Sequence, residues 1–111
     1  MTPNEVIEKL KELGLIIRIR TLQNYSKNRL IPSPQIRGLY GGGRECIYPP
    51  HTPYEFYASW IMVHAQGKKI KYVAKIRSIA RGFQNPIEKA TTQELADATW
   101  WLSEYKKLKK E

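Results

Sequence analysis

One cysteine in 111 residues, Cys46, rules out an internal disulfide, and the two histidines, His51 and His64, are too few to complete a multi-thiolate or zinc-type site. The same scarcity fits a reducing, cytoplasmic setting. No apolar run approaches the ~18 residues that would cross a bilayer, and no charged-then-apolar export signal opens the chain, so a soluble protein is expected. Paired carboxylates, a Gly-Lys phosphate loop and a nucleophile with a base nearby are all missing, so neither catalysis nor a cofactor is expected. Negative charge is also scarce. Ten Asp/Glu stand against 19 Lys/Arg, for a net charge of +9, which suits a polyanionic partner such as nucleic acid or an anionic membrane surface.

What is present argues for one folded unit. Hydrophobic residues make up 41% of the chain, with three Trp and seven Tyr, which is unlike a disordered basic tail. The length allows one modest core and is too short for a reading module joined to a large ligand-binding domain. Basic charge is uneven: residues 1–50 carry an excess of four cations, residues 51–90 an excess of five, and residues 91–111 none. The first two thirds therefore suit an acidic surface, while the last third, neutral and aromatic, suits packing.

Residues 18–34, from Arg18 to Pro34, hold the most informative pattern. Ile19 and Leu22 lie one helical turn apart and can face a core, while Arg20, Gln23, Asn24 and Lys27 place donors on the other side. Such side chains suit phosphates and base edges. Arg18 adds a cation at the helix start, and Asn28 is a candidate for the left-handed residue that ends the helix. Leu30 and Ile31 anchor the exit, and Pro32 and Pro34 forbid further helix. Upstream, Thr2-Pro3-Asn4-Glu5 reads as a capping box, and Val6, Ile7, Leu10 and Leu13 share a face that ends at Gly14. A helix, a Gly-containing turn and a second helix form the arrangement of a helix-turn-helix.

Downstream, two short runs surround Gly41-Gly42-Gly43 and predict a β-hairpin, with Arg37 and Arg44 flanking its tip and Cys46 as a small strand residue. A third helix is expected from Pro53 to about Ala65. Its opening Thr52-Pro53-Tyr54-Glu55 repeats the pattern at Thr2, and its Tyr54, Phe56, Tyr57, Trp60, Ile61 and Val63 supply a core wall. Gly67-Lys68-Lys69 makes a basic loop. A fourth helix from about Lys71 to Arg81 turns Val73, Ile76, Ile79 and Ala80 inward against Lys75 and Arg77. A linker over 83–91 and a last helix from Thr92 to about Lys109 complete the chain. Leu95, Ala98, Trp101, Leu102 and Tyr105 share an arc of that helix, and Trp100 points away. The expected fold class is mainly α, a winged helix-turn-helix with a small hairpin wing and a C-terminal helix.

In this order, Ile19-Arg20-Thr21-Leu22, Tyr25, Leu30-Ile31-Pro32 and the Gly43-Arg44 to Tyr48 strand resemble the MerR family of winged-helix DNA-binding proteins, over roughly residues 4–81. The resemblance implies that Arg20 and Tyr25 approach the DNA, that Arg44 lies against phosphate, and that the Lys68 to Lys71 loop, with Lys69, forms a second wing. It also implies that the last helix pairs antiparallel with a second copy in a homodimer. Two departures are Arg18, where Ser or Thr often caps the reading helix, and Arg29, where Gly commonly ends it. Nothing in the sequence corresponds to a drug-binding domain. The residues themselves keep alternatives open. Tyr25 suits either the core or a phosphate contact, and Trp100 with Trp101 suits either folding back on the domain or dimerisation. Double-stranded DNA is the expected partner, for a transcriptional regulator or for an architectural, excisionase-like or plasmid or chromosome segregation factor. A protein-interaction module is the reading of another class.

Overall fold

A computed structural model describes residues 1–82 and 90–109 as five helices and one hairpin: α1 (Pro3–Glu12), α2 (Ile19–Lys27), β1 (Gln35–Gly38), β2 (Arg44–Ile47), α3 (Thr52–His64), α4 (Ile70–Arg81) and α5 (Thr92–Lys109). The architecture is that of a winged helix-turn-helix: mainly helical, with an antiparallel two-stranded wing and a C-terminal helix packed on α3 and α4. Most of the linker expected at 83–91 lies outside the described residues. No described helix is long and apolar enough to cross a membrane.

Local chemistry sets the first helix. The Thr2 hydroxyl accepts from the Glu5 amide at 3.2 Å and the Glu5 carboxylate accepts from the Thr2 amide at 2.9 Å, closing the capping box. Those bonds, the backbone one foremost, hold the Glu5 carboxyl below its ordinary range. At the other end Gly14 takes φ +94°, and the Leu15 amide returns to the Leu10 carbonyl at 2.8 Å. Val6 and Leu10 are thereby buried beside Leu22 of the next helix.

The core combines Val6, Leu10, Leu22, Tyr25, Leu30, Ile31, Phe56, Met62, Val73, Ile76, Trp101 and Tyr105. Aromatic rings stack through its centre, with Tyr25 on Phe56 at 4.3 Å and Trp101 on Tyr105 at 5.6 Å between centroids. Ile19 is a correction to the sequence reading. It is exposed, because α2 begins there and its first turn projects beyond the seam that buries Leu22.

Two further corrections concern charge and capping. His51, not Thr52, is the N-cap of α3, and it makes no side-chain cap bond. Glu55 has left its expected capping role and is wholly buried, bonded by the Arg77 guanidinium at 2.8 Å. Arg77 therefore points inward, since a buried carboxylate demands a cation beside it. The same guanidinium donates to the Arg29 carbonyl at 3.1 Å. Nearby, Ser59 donates to the Leu30 carbonyl at 2.9 Å and accepts from the Trp101 indole at 3.1 Å.

A polar seam joins α4 to α5. Lys75 contacts Glu94 at 2.6 Å, Tyr72 donates to Asp97, and Lys68 lies 4.0 Å from the Asp97 carboxylate. The final helix opens with its own capping box between Thr91 and Glu94, each amide bonded to the other side chain at 3.1 Å. Lys75 and then the Thr91 amide hold the Glu94 carboxyl below its usual range.

Candidate nucleic-acid interface

Helix α2 sorts its side chains by face. Leu22 and Tyr25 go inward, while Arg18, Arg20, Gln23, Asn24 and Lys27 are exposed and Thr21 is half-buried. The short helix is thus fixed by two apolar anchors, and its polar side chains are left to solvent. No ion pair engages Arg18, Arg20 or Lys27 among the described residues.

The end of α2 departs from expectation. Asn28 has φ −90° and ψ 8°, outside the left-handed region, and its side-chain amide donates to the Asn24 carbonyl at 2.8 Å; Arg29 is the residue at positive φ, +62°. A non-glycine there costs about 1 kcal/mol. Tertiary bonds hold it: Arg77 and Ser59 take the Arg29 and Leu30 carbonyls, and the Leu30 amide closes on the Tyr25 carbonyl at 2.9 Å. Arg29 leaves its own side chain exposed, which adds a cation to this surface. In the sequence Arg29 stands only as a departure from a helix-ending glycine; its place two residues after Lys27 is the signal for a further surface cation.

Tyr25 requires a correction as a DNA contact. Its ring is buried against Phe56, its hydroxyl has no hydrogen-bond partner among the described residues, and burial pushes the phenol up to about 12. A phenol enclosed in this way anchors α2 and does not reach a phosphate.

The wing is differently built. Its register pairs Gln35 with Ile47, Ile36 with Cys46, Arg37 with Glu45 and Gly38 with Arg44. Arg37 is engaged by Glu45 at 3.0 Å, so one of the two expected wing cations is neutralised within the hairpin. Arg44 is exposed, and no ion pair engages it among the described residues. Two backbone bonds between Met1 and Tyr48, each of 2.7 Å, fasten the base of the hairpin to the body.

In the loop before α4, Lys69 and Lys71 are exposed, while Lys68 is partly drawn to Asp97 and over the Tyr72 ring. Helices α2 and α4 share a further property. Neither has a side-chain cap nor an acidic residue in its first turn, whereas α1 and α5 are closed by capping boxes. Open amides beside Arg18 and Arg20, and beside Lys69 and Lys71, favour anions at those two ends.

Of the residues expected at a dimer interface, Ala98, Trp101 and Tyr105 are buried in the core of their own chain. Leu95 is exposed and Leu102 half-buried. Together with Ile79, Ala80 and Thr99 they line a shallow groove of about 190 Å³ between α4 and α5. His51 is half-buried, 3.2 Å from Glu55. Burial chiefly lowers its pKa, Glu55 opposes that, and Arg81, Lys109 and Arg77 add to it. Among the described residues, no group of three or more His, Cys, Asp or Glu side chains could hold a metal ion.

Comparison of the chain with models of known families, with curated proteins and with solved structures gives no match.

Proposed function

We propose that the protein binds double-stranded DNA sequence-specifically, as a MerR-like transcriptional regulator that acts as a homodimer. One observation carries the reading: α2 is anchored by Leu22 and Tyr25 while its exposed face offers Arg18, Arg20, Gln23, Asn24 and Lys27. Cations of that face neutralise phosphates and supply affinity; Gln23 and Asn24 supply bidentate donors and acceptors for base edges. Arg44 on the wing and Lys69 and Lys71 at the open end of α4 extend the phosphate contacts. The fold supports this at the level of a small winged-helix module.

The dimer surface in this reading is the α4–α5 groove with Leu95 and Leu102, since the large aromatics of α5 are spent on the internal core. Two copies would address half-sites separated by about one helical turn of DNA, ~34 Å, or a multiple of it.

The test is selection of bound duplexes from a random library, followed by titration of the recovered duplex at several salt concentrations. A recurrent motif and a steep salt dependence are expected. Arg20→Ala is expected to weaken binding by roughly 1–3 kcal/mol. Failure of any duplex to bind at low salt overturns the reading.

A further inference from the structure

A cavity of about 370 Å³ opens between the residue that precedes α3, the first turn of α3 and the end of α5, and none of its lining residues belongs to the nucleic-acid interface described above. Pro50, His51, Tyr54 and Lys109 line it. A volume of that order takes a small organic molecule. Three of the four lining side chains are rings and the fourth carries an ammonium, so the cavity offers flat apolar faces together with one positive charge.

The imidazole wall is held in place by the chain itself. His51 Nε2 lies 3.2 Å from the wholly buried Glu55 carboxylate, and the imidazole stands edge-on to the Tyr105 ring, with 6.1 Å between centroids and 86° between planes. Burial keeps the imidazole pKa below its ordinary value, so the ring is uncharged at neutral pH and serves as an aromatic wall. Tyr54 is half-buried in the first turn of α3, and Pro50 is exposed beside His51. A wall fixed in this way needs little ordering when a ligand arrives.

Positive charge dominates the surroundings. The charges that act on His51 are one carboxylate, Glu55, and three cations, Arg77, Arg81 and Lys109. Arg77 and Arg81 both approach Glu55 Oε1, at 2.8 and 3.7 Å, and Arg81 also lies 5.2 Å from the Tyr105 ring centroid. Lys109 is exposed, with its ammonium 5.7 Å from the same centroid. Backbone amides at the start of α3 are already engaged: Thr52 donates to the Pro49 carbonyl and Tyr54 to the His51 carbonyl, each at 3.1 Å. An anion in the cavity is therefore met by side chains, Lys109 first, and a cation is repelled.

We infer that this cavity binds a small aromatic carboxylate, its ring against Pro50, His51 and Tyr54 and its carboxylate toward Lys109. The site goes beyond the DNA-binding reading and does not depend on it. A bare inorganic anion leaves the three rings without a partner, and an uncharged aromatic leaves the ammonium without one. A ligand that joins the two chemistries uses the whole cavity.

The test is titration of the full chain with benzoate, without DNA, followed by two-dimensional NMR. Saturable shifts centred on His51, Tyr54 and Lys109 are expected, with acetate and benzylamine both binding at least tenfold more weakly, since one lacks the ring and the other reverses the charge. Lys109→Ala is expected to weaken benzoate about fivefold and Lys109→Glu further, whereas Lys107→Ala, at another exposed lysine of α5, leaves it unchanged. These lysines are exposed, so thermal melts of the variants are expected to match the native chain. Acetate binding as tightly as benzoate, or shifts spread over Arg18, Lys69 and the other surface cations, would reduce the effect to general counter-ion binding and overturn the proposal. Native benzoate affinity in Lys109→Glu overturns it as well. Each of these outcomes leaves the DNA-binding reading untouched, because no duplex is present.

Discussion

The helical body and the wing break the usual rule of burial in opposite directions. In the body a charged pair goes inside: Glu55 is wholly buried and Arg77 nearly so, with Arg77 also holding the turn that ends α2. In the wing apolar side chains go outside, and Ile36, Leu39 and Tyr40 meet solvent. The difference shows where each part gets its geometry. The body is fixed by contacts between α2, α3, α4 and α5, so an internal charge can be matched by a partner from another helix. The wing has two strands and little behind them, so its order comes from its own ladder, its glycine turn and the Met1–Tyr48 bonds at its base. An element of that kind, free of the core, is suited to being completed by a partner.

The largest expected effect tests the body. Arg77→Ala leaves the buried Glu55 carboxylate without its 2.8 Å partner and is expected to cost about 3–5 kcal/mol in denaturant unfolding. Replacing both members, as in Glu55→Leu with Arg77→Met, is expected to cost less than the single change, because the wholly buried carboxylate is removed together with its closest cation, while Arg81, 3.7 Å from Glu55, is partly exposed to solvent. A double variant as damaged as the single would show that the Arg29 carbonyl, and not the ion pair, is what Arg77 serves.

A smaller effect of opposite sign is expected at Tyr25, the seam between the body and α2. Tyr25→Phe removes a buried hydroxyl that lacks a partner, and is expected to stabilise by about 1 kcal/mol with DNA affinity unchanged. The sign of the pH effect follows from the raised pKa. With the phenol at about 12 when folded and 10 as its ordinary value, its contribution is intact below pH 10 and is lost as pH rises through 12. The Phe variant is expected to lose that part of the alkaline decline. A fall in DNA affinity in this variant would restore Tyr25 as a contact.

The smallest effect belongs to the wing. Arg37→Ala breaks an exposed ion pair with Glu45 and is expected to change stability by no more than about 1 kcal/mol in thermal melts. A loss as large as that of Arg77→Ala would mean that the wing is part of the cooperative body, and the contrast between the two would fall.

Much of the fold was legible because its signals are local. The Thr2–Glu5 capping box, Gly14 at a helix end, the Leu22 anchor, the paired prolines after Ile31 and the glycine turn each depend on residues a few positions apart. The exposed donors of α2 were legible for the same reason. The misread residues were those whose partners lie far along the chain. Glu55 stands where a capping residue would, yet Arg77 draws it inward; Tyr25 lies between cations, yet Phe56 covers it; Trp101 and Tyr105 looked available to a second copy, yet α3 and α4 take them.

Composition and spacing by themselves determined a cationic, mainly helical chain with a polar-faced second helix followed by a glycine-tipped hairpin, because charge, caps and turns act over one or two helical turns. Only the tertiary structure decided that Arg29 adopts the left-handed turn, that Arg77 spends its charge internally and that Arg44 keeps its charge for the surface. Each of those outcomes depends on a carbonyl or carboxylate that is supplied, or not supplied, by another part of the fold, and no local pattern encodes that supply.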